Sequence, residues 1–128
     1  MAEIVVIGAG LSGTLLAYEL VPQLRKEDRL TVIGQGDVFH FVPSNPWVAV
    51  GWRERGDIEV DLASVMASKS IRFISAGAKR VHPEMKSIDV EDGTSIDYDH
   101  LVIATGPDLA FDEIPGFGPA ANTQSICH

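Results

Sequence analysis

Three glycines in the pattern Gly8-x-Gly10-x-x-Gly13 are the residues of this chain whose spacing suits phosphate chemistry. Gly8 permits a tight strand-to-helix turn. Gly10 lets the backbone approach a pyrophosphate, and Gly13 lets the helix lie close to the strand. Backbone amides along Gly8, Ala9, Gly10, Ser12 and Gly13, with the positive end of the helix that follows, would then hold the diphosphate bridge of a dinucleotide. A second candidate is Gly34-Gln35-Gly36-Asp37. At this place a dinucleotide-binding unit usually carries an acidic residue that grips the ribose hydroxyls. Here either the Gln35 amide and the backbone around Gly34 make that contact, or Asp37 reaches back. No arginine stands there to receive a 2′-phosphate, so an NADP site is not expected. A third candidate is Ala104-Thr105-Gly106, whose small residues let the backbone approach a bulky ligand.

Other reactive side chains read more plainly. Cys127 is the one cysteine, so no internal disulfide can form, and by itself it reads as a free thiol on a frayed terminus. His40 lies in an apolar stretch and reads as a packed residue rather than a ligand or base. Asp89, Asp97 and Asp99 alternate along strand-like sequence and read as a solvated face. No cluster of histidine, cysteine and carboxylate converges, so no metal site is expected.

The elements that must carry these residues follow from periodicity. Ile4–Ile7 is a β-branched apolar run that reads as a buried strand, and a helix follows from about Ser12 to Leu24, with Pro22 in a distorted last turn. Arg29–Ile33 reads as a second, parallel strand after a right-handed crossover. Val38–Gly51 is apolar and carries two prolines, so a long helix is not expected. Such a loop should pack over a ligand or against another part of the protein. Trp52–Val60 reads as a charged link, then a short helix capped by Asp61, then a third parallel strand at Ile71–Ile74. From Ala76 the period changes to alternation, giving three short strands with an Asp92-Gly93 hairpin turn. Leu101–Gly106 is a further buried strand, and nothing after Pro107 reads as regular structure. The fold class is therefore α/β: a Rossmann-like parallel sheet with an inserted antiparallel β-meander.

Bulk properties limit the partners. A chain of 128 residues suits one ordinary domain. The net charge of −8, with no basic run longer than Arg25-Lys26, argues against nucleic acid. No stretch approaches the roughly 20 apolar residues that span a bilayer. The first strand starts so early that no signal peptide is expected before it, and the chain itself is expected to be soluble.

The glycine motif together with Asp97–Gly106 resembles the FAD domain of the pyridine nucleotide–disulfide oxidoreductase superfamily. Phe41–Trp52, Leu109–Gly116 and Thr123–Cys127 resemble, more narrowly, the sulfide:quinone oxidoreductases. The resemblance implies FAD as cofactor, with Pro43 and Asn45 near the flavin ring, and Ala78 and Thr105 near other parts of FAD. Gly106 follows Thr105 in the same stretch. It also implies that Cys127 belongs to a set of redox cysteines. Enzymes of this kind oxidise sulfide through a disulfide, reduce FAD and pass electrons to a membrane quinone. They are peripheral on the bacterial cytoplasmic membrane and longer than this chain. The expectation is thus a piece of such an enzyme: residues 1–107 as the FAD-binding domain, and 108–128 as a segment connecting to the remainder. By itself it should be inactive, and its uncovered apolar surface should favour self-association. The related alternatives are the FAD-binding part of a type II NADH dehydrogenase, which would not need Cys127, and a non-catalytic nucleotide-binding module.

Overall fold

The computed structural model describes residues 1–115. The chain divides into two compact units: Met1–Phe39 with Val60–Gly106, and His40–Glu59 with the segment from Pro107 onward.

The first unit is built on β1 (Glu3–Ile7), α1 (Leu11–Leu20) and β2 (Arg29–Ile33). α1 ends where Val21–Gln23 tightens into a 3-10 turn around Pro22, because proline cannot donate the next helical hydrogen bond. β3 (Val38–His40) leads out of the unit. The chain returns through β4 (Glu59–Asp61), which pairs with β3. Between them lies the short helix α2 (Asn45–Ala49). Then come α3 (Leu62–Ala67), β5 (Arg72–Ile74), the meander strands β6 (Ala78–His82), β7 (Ser87–Val90) and β8 (Ser95–Asp97), and finally β9 (His100–Ile103).

The main sheet is parallel, in the order β5-β2-β1-β9. Val5, Val6 and Ile7 pair with Thr31, Val32 and Ile33 on one side and with Leu101, Val102 and Ile103 on the other. Strand side chains alternate between faces, so β1 feeds two separate cores. Val6 joins Ala17, Leu30, Val32, Leu62, Met66 and Ile71 under the helices. Val5 and Ile7 join Ile33, Ile88, Val90 and Ile96 under the meander. Both faces are covered, which is why the central strands are apolar almost without interruption. The expected Rossmann-like α/β architecture with its inserted meander is therefore present. Its hairpin turn at Asp92-Gly93 closes with Gly93 at φ +88°, and the Asp92 carboxylate accepts from the Thr94 amide and hydroxyl at 2.9 and 2.7 Å.

Three stretches differ from expectation. Val38–Gly51 is not a plain loop: it opens as a strand, turns through a 3-10 segment at Val42–Ser44 and forms α2. Pro46 sits in the first turn of α2, where its missing N–H has no partner to lose. The charged link at Trp52–Val60 contains a 3-10 turn at Arg55–Ile58, held by reciprocal bonds between Glu54 and Asp57. After Pro107, Phe111–Glu113 forms one further 3-10 turn.

Candidate functional site

Parallel pairing carries the C-terminal ends of β1, β2, β5 and β9 to one edge of the sheet, the edge at which open α/β sheets bind ligands. Gly8, Gly34 and Thr105 each lie just beyond the end of a strand there. Gly8 has φ +109°, and its amide donates to the Ile33 carbonyl at 2.8 Å. A Cβ on Gly8 would collide with the Ala104 carbonyl, and one on Gly13 with the Gly8 carbonyl. These two glycines are thus demanded by close backbone approach. Gly10 is different: a Cβ there would meet nothing within 4 Å. The open space beside it lies at the N-cap of α1.

The helix end at that space is electrostatically open. No side chain caps α1, and its first turn carries no acidic residue. Thr14 turns its hydroxyl back to the Ala9 carbonyl at 3.2 Å instead. The turn's free amides and the positive end of the helix are therefore available to an anion. Ser12 is exposed beside them.

Gly34 is buried against Ala9 and the Phe73 ring, where a Cβ would come within 2.7 Å of the Ala9 Cβ. Its amide donates to Ile74 O at 2.8 Å, and its carbonyl accepts from the Gly77 amide at 2.9 Å. Gln35 bridges to Ala76, and Gly36 N donates to Ser75 O at 2.8 Å. This stitching brings Gln35 and the entry to β6, with Ala78, together. The Gln35 side chain is exposed and makes no hydrogen bond among the described residues. Gly36 turns the chain at φ +83°, and the Asp37 carbonyl accepts from Leu62 N at 2.8 Å. Thr105 and Gly106 are exposed at the end of β9, with Gly106 at φ +73°.

One residue was missed by sequence reasoning: Gly77, at φ +79° and buried, turns the chain beside Gln35. Ala104, expected only as a small residue at the strand end, also supplies the carbonyl against which Gly8 closes. The signal for Gly77 was the run Ala76-Gly77-Ala78, small residues between two strands.

Pro43 and Asn45 belong to the second unit. Pro43 is exposed in the Val42–Ser44 turn, and Asn45 starts α2. Between them Ser44 is fully buried and its hydroxyl accepts from Arg53 Nη1 at 3.2 Å. His40 is not a packed residue. Its side chain is 45% exposed, with Nδ1 3.4 Å from a Glu59 oxygen that also accepts from Arg55 Nε at 2.6 Å. Cys127 lies outside the described residues. Among the described residues no group of three or more histidine, cysteine and carboxylate side chains could hold a metal, and no helix is long and apolar enough to cross a membrane.

Comparison with known proteins gives this geometry a context. The family model described as pyridine nucleotide-disulphide oxidoreductase matches residues 2–128. A sulfide-quinone reductase of Aquifex aeolicus is 39% identical over 125 residues, covering 98% of this chain and 28% of the relative. A mitochondrial sulfide:quinone oxidoreductase of Dictyostelium discoideum is 26% identical over 116 residues, covering 91% of this chain and 25% of the relative. The crystal structure of the sulfide:quinone oxidoreductase from Aquifex aeolicus superposes with a TM-score of 0.81 at 38% identity, over 87% of this chain and 26% of that one. The chain thus spans about a quarter of the length of the relatives it matches.

Proposed function

The chain belongs to the pyridine nucleotide-disulphide oxidoreductase family, whose members are FAD-dependent oxidoreductases, and we propose that it forms the FAD-binding part of a sulfide:quinone oxidoreductase. Identity of 39% along 98% of the chain to a sulfide-quinone reductase is the observation that carries the choice of enzyme. The empty volume over Gly10 at an uncapped helix end supports the cofactor's place.

In this reading the amides of Ala9–Gly13 hold the FAD diphosphate, because they are fixed by the turn, unpaired and backed by the helix dipole, while the Gly8 amide is spent on Ile33 O and shapes the turn. Gly34 and Gln35 meet the adenosine ribose. The free Gln35 amide offers both a donor and an acceptor, which suits hydroxyls as a carboxylate would. Ala78, Thr105 and Gly106 line other parts of the cofactor with small side chains. Pro43 and Asn45 meet the flavin ring, which when bound supplies two-electron chemistry. Cys127 is proposed as one of the redox cysteines. Sulfide and a membrane quinone are the proposed substrates, and peripheral membrane attachment belongs to the whole enzyme.

Purification of the 128-residue chain, with and without added FAD, tests the cofactor. Flavin absorbance near one equivalent, with FAD as the released nucleotide, is the expected result. A chain that stays colourless in excess FAD overturns it. Sulfide exchange through a disulfide needs two thiols, and this chain has one. Flavin-loaded chain should therefore show no sulfide-dependent reduction of a soluble quinone, assayed by quinone absorbance, whereas an enzyme of the relatives' length carrying further cysteines should.

A further inference from the structure

The stretch Phe41–Arg53 holds a definite shape for which its own helix is insufficient. α2 has five residues, far short of the roughly 12–15 needed for a marginally stable isolated helix. Its flanks are strongly apolar yet exposed, at Phe41, Val42, Val50 and Trp52. One side chain ties the stretch together. The Arg53 guanidinium donates to the buried Ser44 hydroxyl just before α2, and its Cζ lies 4.8 Å from the centroid of the Trp47 ring inside α2. The Arg53 and Trp52 amides both donate to the Trp47 carbonyl, at 3.3 and 2.8 Å, after Gly51 turns the chain at φ +75°. Ser44 is closed from the other side by its amide, which donates to Phe41 O at 2.9 Å.

We infer that Arg53 is a positioning residue for the cofactor: it clamps the Pro43-Ser44-Asn45 turn in the conformation that meets the flavin ring. The inference rests on the proposed flavin contacts of Pro43 and Asn45. The guanidinium serves both neighbours, its Cζ lying over the Trp47 ring while Nη1 donates to the Ser44 hydroxyl. The compact ammonium of lysine can satisfy one contact at a time. Ser44 and Arg53 are a matched pair: without Arg53 the buried hydroxyl loses the partner it has in the fold.

The test compares Arg53→Ala, Arg53→Lys, Ser44→Ala and the Arg53→Ala/Ser44→Ala double variant in the 128-residue chain. Amide hydrogen exchange is read at Ser44 and Val50–Arg53, with Val5–Ile7 as an internal control. Loss of one charge-assisted hydrogen bond and one stacking contact should raise exchange in the stretch by about tenfold and leave the control unchanged. Arg53→Lys should restore only part of the protection, and the double variant should exchange no faster than Arg53→Ala. In FAD-loaded protein, Arg53→Ala should alter the visible circular dichroism of the flavin while leaving the FAD dissociation constant within about twofold, the diphosphate grip lying elsewhere. Unchanged exchange in Arg53→Ala overturns the clamp. Faster exchange with an unaltered flavin spectrum overturns the positioning role. Should the unsubstituted chain take up no FAD, the function proposed above and the positioning role fail, and exchange alone decides whether the clamp exists.

Discussion

At the scale of single residues, the three motif glycines separate by what surrounds them. Gly8 and Gly13 have no room for a methyl group, whereas Gly10 has nothing within 4 Å of where one would stand. Alanine at Gly8 must also occupy φ +109°, a conformation that L side chains rarely adopt. Gly8→Ala and Gly13→Ala are therefore expected to lose about 1–3 kcal/mol of stability or more, measured by urea unfolding. Gly10→Ala is expected to unfold at the same urea concentration as the parent yet bind FAD at least about tenfold more weakly, by flavin fluorescence titration, because the methyl enters the phosphate's volume. Equal binding by Gly10→Ala would remove the cradle. The pattern itself was legible in the sequence, since a tight strand-to-helix turn of this kind calls for glycines at this spacing. That Gly10 alone is free was not, because Ala104, the close neighbour of Gly8, lies more than 90 residues away along the chain.

At the scale of elements, short segments depend on particular contacts more than on propensity. α3 has six residues and begins at Asp61, whose carboxylate accepts from Ala63 N at 3.2 Å. Removing that cap by Asp61→Ala should cost about 0.5–2 kcal/mol, read from chemical denaturation. The cap was readable because Asp61 precedes an apolar 3–4 repeat. Leu62 and Met66 of that repeat do bury against the sheet. The meander is held by Ile88, fully buried between β6, β8 and the main sheet. Ile88→Ala should cost about 2–5 kcal/mol. α2 was not readable, since two prolines and an apolar composition argue against a helix. Its Arg53 clamp joins residues nine apart through a ring and a hydroxyl that no period encodes.

At the scale of the molecule, charge and exposed apolar surface set the behaviour in solution. Asp28 sits under the chain's first residues. The Ala2 amide is the largest influence and lowers its carboxyl below the ordinary 3.8; burial opposes this, and the Arg25 side chain and amide add to the lowering. Asp89 is lowered mainly by His82, 2.8 Å away, and Asp92 mainly by the Thr94 hydroxyl and then its amide. A depressed native value means the unfolded chain binds the proton more readily. The stabilisation is complete above about pH 4 and is lost as pH falls through the native values. Unfolding midpoints should drop below pH 4, and Asp28→Asn should flatten that drop while weakening the protein at pH 7. Apolar side chains at Leu11, Leu15 and Ile103 in one unit, and Val50 and Trp52 in the other, are more than half exposed. Sedimentation should reveal concentration-dependent association of the isolated chain, reduced by Trp52→Ser. A monomer at all accessible concentrations would show that this surface does not self-associate.

The main-sheet strands, the helix after the glycine turn, the meander, the Asp61 cap and the family resemblance were legible in local pattern. Each depends on residues within one turn or one period of each other, so neighbours in sequence suffice to specify them. Tertiary structure alone decided that Gly8 closes on Ala104, that Gln35 is stitched to Ala76, that His40 pairs with Glu59 instead of packing, and that Arg53 reaches Ser44. These contacts arise where parallel strand ends are brought to one edge or where a chain reversal returns a side chain to an earlier turn. Such meetings are set by the path of the backbone in space, which no local periodicity carries.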